Sequence, residues 1–368
     1  MNIAMLGHKH VLSREGGIEI VVKELATRMV DRGHAVTCFD RSTSHVSGEQ
    51  IENKNEYKGV KIIPVWTIKK KGLAAMTSSF SAAWKAAWGK FDVVHIHAEG
   101  PAAMCWLPKS RGKRVIVTIH GLDWQRAKWG GFATKYIKLG EKQAVKKADE
   151  IIVLSRGVQD YFQRKYGRKT VFIPNGVSRP ELKASDEIKR QWGLEKDSYV
   201  LFLGRIVPEK GLKYLIDAWK EISTDKKLVI AGGSSDTDAF LNELKQMSAE
   251  DDSIIFTGFQ QGRVLEELYS NAYVYLLPSD LEGMPLSLLE AMSYGNCCVV
   301  SDIAECTEVV EDKAVVFRKS DVQDLRRVLQ ELLDDASRVA EYKKNAADFI
   351  CQKYNWDDVV DKTLKLYR

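Results

Sequence analysis

The chain lacks any apolar run approaching the roughly 18 residues that a membrane-spanning helix requires, so no span is expected. Its first residues, MNIAMLGHKH, hold only a short apolar stretch, cut at Gly7 and followed by charge; they predict a first β-strand and not a secretory signal. Six cysteines are scattered without a C-x-x-C pair or a cysteine–histidine group at zinc-ligand spacing, which argues against a metal site and predicts reduced, mostly buried thiols. The fingerprint G-x-G-x-x-G is missing. No helix-turn-helix, RNA-binding aromatic pair or zinc-finger spacing is visible, so nucleic acid is not an expected partner. Nor is there a tract of disorder-prone composition: 45% of residues are apolar and 29% charged.

What remains is a long globular chain with unevenly distributed charge. At 368 residues, two domains of about 180 residues each are the natural division. The net charge is only +5, yet residues 1–180 hold 31 Lys and Arg against 15 Asp and Glu, and residues 181–368 hold 24 against 35. A basic half beside an acidic half points the first toward something anionic, such as a membrane surface or a phosphorylated acceptor.

Short β-branched runs alternate with amphipathic stretches. Strands are predicted at 2–7, 35–40, 60–65, 92–97, 114–119, 151–154 and 170–174, and helices near 17–32, 76–88, 131–147 and 156–165. Pro, Asn, Gly and Ser gather in 173–185, where the pattern breaks, so the domain junction is placed there. A second alternation follows, with strands at 199–204, 227–233, 253–258, 273–279, 297–302 and 314–319. This βαβ rhythm predicts two mostly parallel sheets covered by helices, an α/β architecture whose ligands sit at strand carboxyl ends. The expected division is 1–178 and 179–352, with a helix over 353–368 crossing back to brace the first domain.

The most specific stretch is PSDLEGMPLSLLEAMSYG, residues 278–295. Glu282 follows an apolar strand, Gly283 permits a tight turn, Pro285 suits a helix opening, and Glu290 falls in that helix's second turn. A helix starting here turns the backbone N–H groups of Gly283, Met284 and Leu286 toward a ligand. An ionised carboxylate accepts two O–H donors, so a pair of them beside such a site suits the vicinal hydroxyls of a sugar and a ribose. In LGRIVPEKG, residues 203–211, Gly204 ends a strand and Arg205 and Lys210 follow it, two cations suited to stabilising a departing diphosphate. In the first half, His120 closes VIVTIH at a strand end, and His95 and His97 project to one side of another strand. Those two either line an acceptor site or pack in the core. Gly16 and Gly17 precede a helical pattern, where they open a backbone approach to phosphate or form a plain turn.

These motifs resemble the retaining glycosyltransferases of family 4, which have the GT-B fold: two Rossmann-like domains facing each other across a cleft. Glu282 and Glu290 match the family's Glu-x7-Glu pattern, and Gly204, Arg205, Lys210 and Gly211 match its Gly-Arg-x-x-x-x-Lys-Gly pattern. The resemblance implies that Glu290 binds the nucleotide ribose, Glu282 the donor sugar hydroxyls, and Arg205 with Lys210 the diphosphate. It also implies donor contact for Gly16 and Gly17 and a place for His120 beside the reacting sugar. His97 and Trp124 are assigned to the acceptor side. Met284, where the family often has an aromatic residue or leucine, and Asn296-Cys297, where proline is frequent, depart from the pattern near the donor pocket.

The implied reaction is retaining transfer by front-face attack, moving a hexose or deoxyhexose from a nucleotide-diphosphate sugar to a glycan hydroxyl without metal or cofactor. GHKHVLSREGGIEIVV is similar to bacterial polysaccharide-assembly enzymes, rhamnosyltransferases among them. That implies a polyprenyl-diphosphate-linked acceptor and dTDP-rhamnose or a UDP-sugar as donor. Between 109 and 147, eleven Lys and Arg stand against Asp123 and Glu141, interleaved with Trp124, Trp129, Phe132 and Tyr136. With the basic segment 66–71, they predict a cytoplasmic protein docked on the anionic inner face of the cell membrane. A non-catalytic nucleotide-sugar-binding protein and a same-fold epimerase stand as alternatives. The first is expected to have lost one of Glu282, Glu290, Arg205 or Lys210, and all four are present.

Overall fold

The computed structural model describes residues 1–42, 54–68, 70, 73–125, 130–234 and 237–368. They form two compact units, 1–175 with 356–368, and 176–355.

The first unit is built on eight strands: β1 (Asn2–Leu6), β2 (Ala35–Arg41), β3 (Glu56–Tyr57), β4 (Val60–Val65), β5 (Val93–His97), β6 (Arg114–Ile119), β7 (Glu150–Val153) and β8 (Val171–Phe172). Their order is β3-β4-β2-β1-β5-β6-β7-β8. All pairs are parallel except the short β3 against β4. The central strands are buried on both faces, which is why β1, β5 and β6 read as nearly unbroken apolar runs. The helix Gly17–Asp31 buries Val21, Val22, Leu25, Ala26 and Met29, the spacing of one helical face. It stops at Gly33, whose φ of +80° turns the chain so that the His34 N–H returns to the Met29 carbonyl.

The helix Trp356–Leu366 belongs to this unit and packs on Gly17–Asp31. Trp356, Val359, Val360 and Tyr367 are buried there, each contributing about 1.5–3 kcal/mol by leaving water. The ion pairs of Arg32 with Asp357 and Asp361 involve exposed carboxylates and add little. Apolar burial therefore holds the C-terminal helix.

The second unit has β9 (Tyr199–Leu203), β10 (Lys227–Ala231), β11 (Ile254–Gly258), β12 (Val274–Leu277), β13 (Cys297–Ser301) and β14 (Val315–Phe317). All are parallel, in the order β11-β10-β9-β12-β13-β14. Strand order reverses between β9 and β12, and such a switch point opens a crevice at the strands' carboxyl ends.

The structure departs from the sequence reading at several places. The helix predicted from 76 begins at Leu73, and the strand predicted over 170–174 is only Val171–Phe172. Short helices at Glu99–Ala102 and Trp106–Ser110 are absent from the sequence reading, being too brief for periodicity to register. The cysteines are free thiols, five of them buried. Among the described residues, no helix is long and apolar enough to cross a membrane.

Candidate functional site

In the second unit, the residues flanking the switch point come from two loops stitched together. After β9, Gly204 and Arg205 lead into the single turn Pro208–Lys210 and then the helix Leu212–Trp219. After β12, buried Ser279 leads to Glu282. The Asp280 N–H donates to the Glu209 carbonyl at 2.8 Å, and the Tyr214 hydroxyl donates to the Pro278 carbonyl. Gly211, at φ +69°, sits so close that a Cβ would overlap that same carbonyl oxygen.

This stitching places Lys210 beside Glu282, 72 residues away in sequence, as an ion pair whose side chains are each 10% exposed. Ser279 Oγ donates to the same Glu282 oxygen at 2.6 Å. The two charges expected to meet diphosphate and sugar separately therefore meet each other. Arg205, half-buried, lies on the same loop. Both carboxylate oxygens of Glu209 are buried with no hydrogen-bond partner among the described residues, two orphaned acceptors next to Lys210. The sequence reading singles out Lys210 and passes over Glu209, whose buried carboxylate nothing in the sequence signals.

The helix carrying Glu290 spans Leu286–Ser293, with Pro285 at the position before it. Gly283 and Met284 thus precede the helix, and of the three residues expected to offer helical N–H groups only Leu286 belongs to it. The Pro285 carbonyl takes the N–H groups of Leu288 and Leu289. Glu290 accepts a hydrogen bond from the buried Tyr269 hydroxyl at 3.2 Å, and Tyr269 stacks on Tyr294. Asn296 donates to the Tyr269 and Ala291 carbonyls, giving this departure from the family pattern a bracing role behind Glu290.

In the first unit, histidines gather at the carboxyl ends of β1, β5 and β6. Gly7, at φ +108°, lies where a Cβ would overlap the His97 carbonyl oxygen, so only glycine lets the chain after β1 settle on the end of β5. His97 Nδ1 shares a hydrogen bond with His120 Nε2 at 3.1 Å, and the rings of His95 and His97 stack at 4.2 Å. Burial pushes the His95 imidazole down to about 3 and that of His97 well below its ordinary value, so both stay neutral. The structure separates the two. His95 is satisfied at both ring nitrogens, by Tyr367 and Thr118, and packs, whereas His97 Nε2 is buried without a partner among the described residues.

Gly16 takes an extended conformation (φ −157°) and Gly17 opens the first helix. A Cβ at Gly16 would approach the end of the Glu19 side chain, whose Oε1 accepts the Lys9 N–H at 2.8 Å. Trp124 is half-buried with Lys138 and Lys165 over its ring. Among the described residues, no group of three or more His, Cys, Asp or Glu is arranged to hold a metal ion.

In the basic–aromatic stretch 109–147, Arg111, Lys135, Lys138, Lys142, Lys146 and Lys147 are exposed, whereas most of its described aromatics are turned partly inward. The Tyr136 hydroxyl is buried and the Trp124 indole N–H reaches buried Glu141, leaving Phe132 as its exposed aromatic among the described residues. Arg126, Lys128 and Trp129, like Lys69 and Lys71 of segment 66–71, lie outside the described residues.

Two family models match the chain: Glycosyltransferase Family 4 over residues 15–179 and Glycosyl transferases group 1 over residues 184–364. An uncharacterized glycosyltransferase of Methanocaldococcus jannaschii is 26% identical, the alignment covering 100% of this chain and 98% of that protein. Among solved structures, the sucrose-phosphate synthase of Thermosynechococcus elongatus superposes with a TM-score of 0.85 at 22% identity, covering 100% of this chain and 98% of the other. Anabaena HepE in complex with UDP-glucose gives 0.81 at 17% identity, covering 99% of each chain. With its two Rossmann-like units, the chain belongs to the group 1 and family 4 glycosyltransferases and is a GT-B enzyme of the hexosyltransferase class.

Proposed function

We propose that this enzyme moves a hexose or deoxyhexose, with retention, from a nucleotide-diphosphate sugar to a hydroxyl of a lipid-diphosphate-linked glycan in bacterial surface polysaccharide assembly. The observation that carries this reading is the buried Lys210–Glu282 pair at the switch point, with Glu290 on the adjoining helix. An arriving diphosphate competes for Lys210 and, with Arg205, is neutralised by it. Glu282 is then released to accept hydroxyls of the sugar, while Glu290 accepts those of the ribose. Gly204, Gly283, Met284, Pro285 and Leu286 line the donor. The acceptor oxygen bonds to the anomeric carbon on the leaving-group side. The bond to the diphosphate breaks with its electron pair on the phosphate oxygen, and a phosphate oxygen takes the acceptor's proton. His120 stands beside the reacting sugar, and His97, kept neutral by burial, serves the acceptor side with Trp124. Because HepE is described with UDP-glucose, a UDP-sugar stands ahead of dTDP-rhamnose as donor.

Release of nucleoside diphosphate from UDP-, GDP- and dTDP-sugars, with membrane lipid extract as acceptor, tests this. Acceptor-dependent release is expected from the wild type and not from Glu290→Ala, whose loss of the ribose contact costs at least about 100-fold. Tight donor binding without release supports the non-catalytic alternative, and sugar inversion without acceptor supports an epimerase.

Membrane docking is better served by the helix Leu73–Trp88 than by 109–147. Its buried face is Ser78, Ser79, Ala82, Ala83, Ala86 and Ala87, while Phe80, Trp84 and Trp88 point outward on successive turns. Arg111 lies over Trp88, and exposed Lys85 sits beside Trp84, so cations rim an aromatic face suited to an anionic bilayer. Replacing Trp84 and Trp88 with Ser is expected to weaken sedimentation with phosphatidylglycerol vesicles at least about tenfold. Undiminished sedimentation overturns the assignment.

A further inference from the structure

Beyond β5 lies a pair of buried carboxyl groups that the proposed reaction does not use. Glu99 and Glu141 are both fully buried. Gly140 brings them together: the helix Gly131–Lys147 approaches so closely that a Cβ at 140 would overlap the Glu99 carbonyl oxygen, and Glu141 comes within hydrogen-bonding reach of Glu99. Glu141 is rich in donors. It accepts the Tyr161 hydroxyl (3.0 Å), the Tyr166 hydroxyl, the Lys165 ammonium (3.0 Å) and the Trp124 indole N–H (3.2 Å). Glu99 has one donor among the described residues: the Asp123 N–H reaches its Oε2 at 2.8 Å, while Oε1 is buried with none.

Two carboxylates this close and this buried do not both ionise. The proton belongs on Glu99, which faces Asp123 and Glu141 and has no cation beside it among the described residues, and there it donates to Glu141. Burial, reinforced by those two acids, pushes the Glu99 carboxyl up to about 10. Burial works against Glu141 too, but hydrogen bonds from Tyr166 and Lys165 hold it below the ordinary range.

We propose that the hydrogen-bonded Glu99–Glu141 acid pair is a positioning device that fastens the segment His120–Trp124, through Asp123 and Trp124, and lets it go when Glu99 loses its proton. That the segment serves the reaction rests on the reading of His120 beside the reacting sugar and of Trp124 on the acceptor side. On deprotonation Glu99 accepts the Asp123 N–H more strongly, but the larger effect is its repulsion by the Asp123 and Glu141 carboxylates, which drives the segment away. The linkage has a definite sign. Folded Glu99 keeps a proton that the unfolded chain releases above the ordinary carboxylate range, so stability falls as pH rises from that range toward 10.

The test uses full-length protein labelled with 5-fluorotryptophan, the Trp124 resonance being assigned with Trp124→Phe. From neutral pH to just above 10, the wild-type resonance is expected to follow a one-proton curve with its midpoint near 10. In Glu99→Gln, whose amide keeps the donor to Glu141, that step is absent, while the Lys138 and Lys165 ammonium groups over the ring are left as they are. The variant's thermal midpoint lies above the wild type's, with a gap that widens as pH rises. UDP release from UDP-glucose falls to about half its neutral value near the wild-type midpoint and holds level in the variant. Should Glu99→Gln not fold, Glu141→Gln is expected to move the Trp124 midpoint to lower pH. The same titration in wild type and variant, or parallel thermal curves, overturns the proposal. If the wild type releases no UDP, the functional reading fails, while the fluorine and thermal measurements still decide the pair.

Discussion

Lys210→Met is expected to lower nucleoside diphosphate release by at least about 100-fold and, separately, to destabilise the second unit by about 3–5 kcal/mol. The two losses have different origins. The first, on the mechanism proposed above, is removal of a cation from where negative charge develops on the leaving diphosphate. The second is structural: Glu282 is 10% exposed and its partner is Lys210, so truncating the lysine strands a carboxylate away from water, with the Ser279 hydroxyl still donating to it. Adding Glu282→Gln to Lys210→Met removes the stranded charge, so the double variant is expected to regain most of the thermal stability and none of the rate. Recovery of both would make the pair merely structural. Failure to recover stability would mean that the ion pair is not what Lys210 contributes to the fold.

Gly211→Ala should lower the thermal midpoint of the second unit by roughly 5–15 °C, about 2–5 kcal/mol in a unit of this size. Alanine at φ +69° carries the left-handed backbone penalty, about 1–2 kcal/mol. Its Cβ also overlaps the Pro278 carbonyl and the Tyr214 hydroxyl, contacts that tie the Lys210 loop to the Glu282 loop. Gly193 is the control: its φ is +66° and nothing lies within 4 Å of where a Cβ would stand, so Gly193→Ala is expected to show the backbone penalty alone. Equal losses at the two positions, measured by calorimetry, would rule out the close approach as the reason glycine stands at 211.

Much of the framework was legible because its determinants are local. Strands buried on both faces spell themselves as apolar runs; Arg205 and Glu282 stand in the loops that follow two of them, Lys210 on the next turn and Glu290 on the next helix. The helix Leu73–Trp88 misleads such reading: its bulky residues point outward and its alanines and serines inward, because close packing against the helix Trp106–Ser110 favours small side chains. In the basic–aromatic stretch the lysines are exposed, but Tyr136 and Trp124 send their polar atoms inward, which spacing does not reveal.

By itself, then, the sequence determined two parallel α/β sheets and the family to which the motifs point. Tertiary structure alone decided which charges meet: Lys210 with Glu282, Glu99 with Glu141, His97 with His120. Periodicity and propensity act over a few residues. These pairings act across 72, 42 and 23 positions, and depend on strand order and on approaches that only Gly7, Gly140 and Gly211 permit.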